Sequence, residues 1–147
     1  MTNLANASHL LRGTKENKWT SLMSKSFDDL DPATAMRARA VEAAMAAYGY
    51  PLKRIRTYDK LSRQMKLYNQ GRTTPGRIVT KVKRGWHNLR KNGKPKARAI
   101  DWAFKKQKRF LGRDNWSMNW PWERLRKICE ACDLKKTLKW DYGHFVD

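Results

Sequence analysis

Apolar and polar residues recur along this chain with two different periods, and the switches between them mark out its elements. From Pro32 onward, Met36, Ala40, Val41, Ala44, Met45 and Tyr48 follow at three- and four-residue steps, the period of a helix with one buried stripe. Asp31 and Pro32 supply an N-cap and a first helical residue, and Gly49 a stop. A second helix is predicted over 61–70, with Leu61, Met65 and Tyr68 facing inward and Gly71 ending it. A third starts at Pro121, where Trp122, Leu125, Ile128, Cys129 and Cys132 share one face.

Elsewhere the period is two. Residues 51–57 (PLKRIRT) read as a short strand, and Ile78, Thr80 and Val82 alternate with Val79 and Lys81 as a second. A Gly- and Lys-rich loop is centred on 92–96. Residues 97–105 (ARAIDWAFK) form another predicted strand, with Ala99, Asp101 and Ala103 on one face and Ile100, Trp102 and Phe104 on the other. A last strand or turn covers 138–146. Residues 1–25 are polar and weakly patterned and read as an arm, leaving 26–147 as one domain. Helices first, then strands with an intervening helix, predict a small α+β domain, with a short antiparallel sheet packed against helices.

Charge narrows the partners without choosing one. The 147 residues carry 33 Lys and Arg against 13 Asp and Glu, a formal charge of +20. Such a surface calls for a polyanion: nucleic acid, an anionic lipid surface or an anionic cell wall. A hydrophobic fraction of 40% with seven Trp argues against disorder over most of the length. No apolar run approaches the roughly 20 residues that span a bilayer. The N-terminus lacks the apolar stretch of a conventional signal peptide, so synthesis in a cytoplasm with reduced thiols is expected. Cys129 and Cys132 form a C-x-x-C, the spacing of a redox pair or half a zinc site. Both fall on the apolar stripe of the third helix, and no third cysteine exists to complete a structural zinc site, so they read as small core residues.

Three histidines occur: His9 in the polar arm, His87 after a predicted strand, and His144 near the C-terminus. Asp101 is a lone carboxylate on a strand face otherwise made of alanines. A buried carboxylate is costly unless paired. Two readings follow: Asp101 pairs with one of the many arginines, or His87, Asp101 and His144 form a metal set with an open fourth position. Asp141 stands three residues before His144. Both reach one site only if the chain turns at Tyr142 and Gly143, a bend that glycine tolerates.

The ordered set IRT, RQMKLYNQGRTTPGRIVTKV, GWHN, ARAIDWA and WDYGHF resembles the zinc D-alanyl-D-alanine peptidase family, and within it the phage L-alanyl-D-glutamate endolysins. The resemblance runs from about Ala33 to Phe145. It implies one Zn²⁺ held by His87, Asp101 and His144, with the site on the sheet, and Asp141 as the base that takes a proton from the attacking water. It further implies Arg56 as a catalytic and substrate-contacting residue, and Gln64 as a substrate-binding or pocket residue. The chain departs from the pattern in five places, one of them Gly85, where a serine two residues before the histidine is common. The loop between His87 and Asp101 is longer, as is the gap between Arg56 and Gln64. The last motif lacks a preceding Gly-Gly-Asp-Trp segment. The base is Asp where many members have Glu.

The function implied is a monomeric peptidase cutting the peptide stems of bacterial peptidoglycan, as a bacteriolytic phage enzyme reaching the wall by holin-dependent release or aboard the virion. Its +20 charge then serves adhesion to the anionic envelope, with nucleic acid bound only non-specifically. Two other readings account for the charge: a nucleic-acid-binding protein without catalysis, since Lys and Arg interleave with Trp and Tyr, and a cationic membrane-perturbing protein. The first leaves the ordered His, Asp and D-x-x-H pattern as coincidence.

Overall fold

The structure, a computed structural model, describes residues 23–105, 120–136 and 143–147. A short 3-10 turn at Phe27–Asp29 leads into helix α1, Pro32–Ala47. The predicted start holds: the Asp31 side chain accepts a hydrogen bond from the Ala33 N–H at 3.2 Å, and proline opens the helix. The stripe that α1 buries is Thr34, Ala38, Val41 and Met45. Val41 and Met45 were expected there, whereas Met36, Ala40 and Tyr48 face solvent. Buried Ala38 brings the helix axis close to the core, and the stripe runs from it at four- and three-residue steps.

Strand β1, Leu52–Arg56, pairs antiparallel with the six-residue central strand, and after β1 helix α2 spans Leu61–Asn69. A two-stranded hairpin follows, β2 Arg90–Lys91 and β3 Lys94–Pro95, then the central strand β4, Ala99–Phe104. Helix α3 spans Trp122–Ala131, and β5 covers His144–Val146. The sheet order is β1-β4-β5, antiparallel throughout, so the architecture is α+β as the sequence predicts. Strand β4 is buried along its whole length. Ile100, Trp102 and Phe104 join Val41 and Met45 of α1, Leu125 and Cys129 of α3, Leu134 and Phe145 in one core. Phe104 stacks on Trp120 at 5.2 Å and meets Trp122 at 4.6 Å. The only polar atom of the Trp102 ring, Nε1–H, donates to Glu42 Oε1 at 3.0 Å, which removes the cost of burying the indole. Among the described residues, no helix is long and apolar enough to cross a membrane.

Register places the site. On one side of β4, Asp101 sits opposite His144 of β5. On the other side, β1 pairs Arg54 with Trp102 and then shifts, so that Arg56 rather than Ile55 faces Asp101. Because side chains alternate between faces, this one-residue bulge moves Arg56 to the face that carries Asp101. Without it, Arg56 would point to the opposite face.

Three expectations are corrected. The alternating segment Ile78, Thr80, Val82 is not a strand: no ladder pairs with it, and Ile78, Val79 and Val82 are each about half exposed. Local contacts hold it instead. Gln64 Nε2 donates to Thr80 Oγ1 (3.2 Å) and to the Val82 carbonyl (2.8 Å), and Arg72 donates to the Thr80 carbonyl. Gly71 (φ +78°) allows this return, since a Cβ there would stand 2.9 Å from Ile78 and the Gly76 carbonyl. The second correction follows from the first. Helix α2 covers this loop rather than the core, so its buried side chain is Gln64, while Leu61, Met65 and Tyr68 are only partly covered. Third, the segment predicted as a loop around 92–96 is part of a β-hairpin over 90–95, whose turn is Asn92-Gly93 with both residues at positive φ.

The third helix matches its prediction. Trp122, Leu125 and Cys129 are buried, with Ile128 and Cys132 packed against the core, and both cysteines are free thiols. Burial pushes the Cys129 thiol far above its ordinary range, with the neighbouring Cys132 and Glu130 adding to the shift. Of the arm, residues 1–22, His9 among them, lie outside the described residues, as do 138–142 of the predicted last strand.

Candidate metal centre

His87 is carried by a second 3-10 turn, Trp86–Asn88, which Gly85 opens. The turn is tied to the segment that follows β1. The His87 carbonyl accepts from the Asp59 N–H at 2.9 Å, and Asn88 Nδ2 donates to the Asp59 carbonyl at 2.8 Å. Asn88 also closes its own turn through Gly85 N–H to Asn88 Oδ1 at 2.8 Å. From the other side, Arg98 N–H donates to the Trp86 carbonyl at 3.0 Å. The imidazole of His87 is buried, and its Nδ1 lies 2.7 Å from the Thr57 carbonyl. A carbonyl only accepts, so Nδ1 carries the proton. In the neutral ring, Nε2 therefore presents its lone pair inward.

That lone pair meets the other two candidate ligands. His87 Nε2 is 3.3 Å from Asp101 Oδ1 and 3.3 Å from His144 Nδ1, and His144 Nδ1 is 2.8 Å from Asp101 Oδ1. The structure thus brings together the three residues named from the sequence, one ligand atom from each, all within 4.8 Å of one another. Ligand atoms about 2.0–2.1 Å from a tetrahedral zinc stand about 3.3–3.4 Å apart. Two of the three separations have that length. The third is a hydrogen bond, donated by His144 Nδ1–H to the carboxylate, and a metal binds there by displacing that proton. Two imidazoles and one carboxylate, with the outer nitrogen of His87 fixed by a carbonyl, are a donor set that suits zinc.

Electrostatics favour an ionised Asp101. Burial alone would raise its pKa, but the charge His87 carries when its Nε2 is also protonated, the Arg56 charge and hydrogen bonds from His144 and from that protonated His87 outweigh it and hold the carboxyl well below the usual carboxylate range. Arg56 answers from the opposite oxygen: its Nε donates to Asp101 Oδ2 at 2.8 Å, and its Nη1 to Asp59 Oδ2 at 3.1 Å. Burial works against the Arg56 charge, and the two carboxylates reverse that effect and raise its pKa.

The remaining candidates divide. Arg56 joins the cluster as a partner of Asp101, so both readings of that carboxylate, arginine partner and member of a His-Asp-His set, coexist. Gln64 does not touch the cluster, and its amide pins the 80–82 loop. Asp141 lies outside the described residues. Sequence reasoning missed Thr57, Asp59 and Asn88. For Asp59 a signal existed, since it stands three residues after Arg56 and four before Arg63, the spacing of charge pairs. Nothing local marks a carbonyl such as that of Thr57 as a histidine anchor.

No family model matches the chain. Among known proteins, it is 31% identical over 119 residues to the peptidoglycan L-alanyl-D-glutamate endopeptidase CwlK of Bacillus subtilis (strain 168), a match covering 78% of this chain and 65% of that protein. The chain therefore spans somewhat less than two thirds of the length of the curated relative it matches.

Proposed function

We propose that this chain, which is similar to an L-alanyl-D-glutamate endopeptidase and whose motif order resembles the zinc D-alanyl-D-alanine peptidase family, is a zinc-dependent peptidase acting on the peptide stems of bacterial peptidoglycan. Residues 26–147 form its catalytic unit in this reading. The observation that carries it is the convergence of His87 Nε2, Asp101 Oδ1 and His144 Nδ1, with the tautomer of His87 already set for ligation. The relative's printed activity supports the L-alanyl-D-glutamate bond as the one cut. A lytic phage enzyme, released through a holin or carried on the virion, is the biological setting that the motif resemblance supports.

His87, Asp101 and His144 would hold the zinc. When bound, zinc supplies Lewis acidity toward a peptide carbonyl and lowers the pKa of water to about 7. Asp141 is assigned as general base: its carboxylate takes the proton of the attacking water and delivers it to the leaving amine as the C–N bond breaks. Arg56 keeps Asp101 ionised and oriented through Nε, and its donors not engaged by Asp101 and Asp59 are offered to a substrate carboxylate or to charge developing on the carbonyl oxygen. The cationic surface adds adhesion to the anionic envelope, which salt screens over about 8–10 Å.

The test is mass spectrometry of muropeptides released from purified peptidoglycan, with and without chelator, alongside zinc content of the purified protein. New N-terminal D-Glu stems that vanish with chelator and return with zinc are expected. Asp141→Asn should keep zinc and lose turnover. Salt-sensitive DNA binding with no hydrolysis under any metal condition would replace this reading with a nucleic-acid-binding one.

A further inference from the structure

We propose that Asp59 is a positioning residue for the Asp101 carboxylate and acts on it through Arg56; this rests on the reading of His87, Asp101 and His144 as zinc ligands. Asp59 lies in the stretch between Arg56 and Gln64 where this chain is longer than the family pattern. Its side chain is fully buried. One oxygen, Oδ2, takes both Arg56 Nη1 at 3.1 Å and Arg63 Nη1 at 2.5 Å. The other, Oδ1, has no hydrogen-bond partner among the described residues. Burying such a group with half of its acceptor capacity unused is not how a fold gains stability. Buried ion pairs are often matched or exceeded by apolar replacements. Orientation is what the arrangement provides.

Arg56 is a long side chain, and a single contact would leave it free to swing. Here it is held at two points, Nη1 on Asp59 and Nε on Asp101 Oδ2. With Oδ2 engaged, Asp101 turns Oδ1 toward His87 and His144. The main chain of Asp59 separately holds the other side of the cluster, through its N–H to the His87 carbonyl and its carbonyl to Asn88. Those main-chain ties survive a change of side chain, so replacing the carboxylate isolates the route through Arg56. Outer partners of metal ligands typically carry about 10–100-fold in metal affinity.

The experiment is zinc competition against a chromophoric chelator on the folded full-length chain, with the visible spectrum of the Co²⁺ form and thermal melting measured in parallel. Asp59→Asn should weaken zinc binding about 10-fold or more and alter the Co²⁺ bands. Arg56→Gln should do the same, and the double variant should be no worse than Arg56→Gln alone. Asp59→Glu should recover most of the affinity. A lower melting temperature for Asp59→Asn with unchanged zinc affinity and unchanged Co²⁺ bands would overturn the proposal, leaving Asp59 a structural ion pair. Additive losses in the double variant would also overturn it. If Asp59→Asn does not fold, Arg56→Lys decides: a compact ammonium lacks the planar, spaced donors with which the guanidinium holds both carboxylates in fixed orientation, so wild-type zinc affinity there rejects the proposal and a loss of about 10-fold supports it. Failure of the underlying reading looks different: wild type and His87→Ala would then bind zinc equally weakly.

Discussion

Two neighbouring regions of this protein treat their side chains in opposite ways. Around Asp101, two histidines, one arginine and one buried aspartate are held by one another's side chains, by the Thr57 carbonyl and by the register of β1, β4 and β5. At most ten residues away from His87 in sequence, the 77–84 loop leaves Ile78, Val79 and Val82 half exposed among Arg77, Lys81, Lys83 and Arg84. From Lys60 to Arg98 the chain has thirteen Lys and Arg and no Asp or Glu, so both regions sit within one cationic stretch. What separates them is anchoring. Each side chain of the cluster is fixed by contacts to several strands and turns at once, whereas the loop hangs on a few side-chain contacts from Gln64 and Arg72.

The largest effect that would break this comparison is at the cluster itself. His144→Ala or Asp101→Ala should abolish zinc retention after dialysis and hydrolysis of peptidoglycan, measured by metal analysis and by turbidity; retention of both in either variant would remove the cluster from the chemistry. Next comes the core beneath it. Trp102→Ala should cost about 3–5 kcal/mol in denaturant unfolding, whereas Ile78→Ser should stay within about 0.5 kcal/mol. Equal costs would mean that the loop is as integral to the fold as β4.

Gln64→Ala sharpens the contrast from the loop side. It removes the amide donor to the carbonyl of half-exposed Val82, a loss of about 0.5–1.5 kcal/mol, and should speed tryptic cleavage at Lys81, Lys83 and Arg84. Unchanged cleavage would show that Arg72 alone retains the loop. The smallest effect is expected at Cys129. Its buried thiol stays neutral in the fold, while the unfolded thiol ionises above about pH 8.5. Stability from this group is therefore fully present below that pH and is lost as pH rises toward the elevated folded value. Iodoacetamide at pH 8 should label Cys132 first and Cys129 only on unfolding; labelling of both at equal rates would contradict the burial.

Much of the α+β frame is local in origin and was legible. Asp31-Pro32 starts α1 because a cap and a fixed φ act within one turn. The α3 stripe is read from spacing alone. The alternation in ARAIDWAFK separates the Asp101 face from the Trp102 face because strand side chains have a period of two. The same local reasoning misplaced Ile78, Thr80 and Val82, since alternation says nothing about whether a partner strand exists. It passed over Asn92-Gly93 as loop, although that pair at a turn is a hairpin signal.

The sequence by itself determined which residues could serve as donors: two of its three histidines, and an aspartate on a strand of small residues. Only the tertiary structure decided that they meet. His144 reaches Asp101 through strand register across 43 residues, and His87 reaches both through a carbonyl 30 residues earlier. Arg56 shares their face because of a bulge between Arg54 and Arg56. Register and bulges are set by pairing between distant segments, and one residue of shift exchanges the two faces of a strand. Composition and spacing carry no record of that choice, so the fold alone gives Asp101 its neighbours.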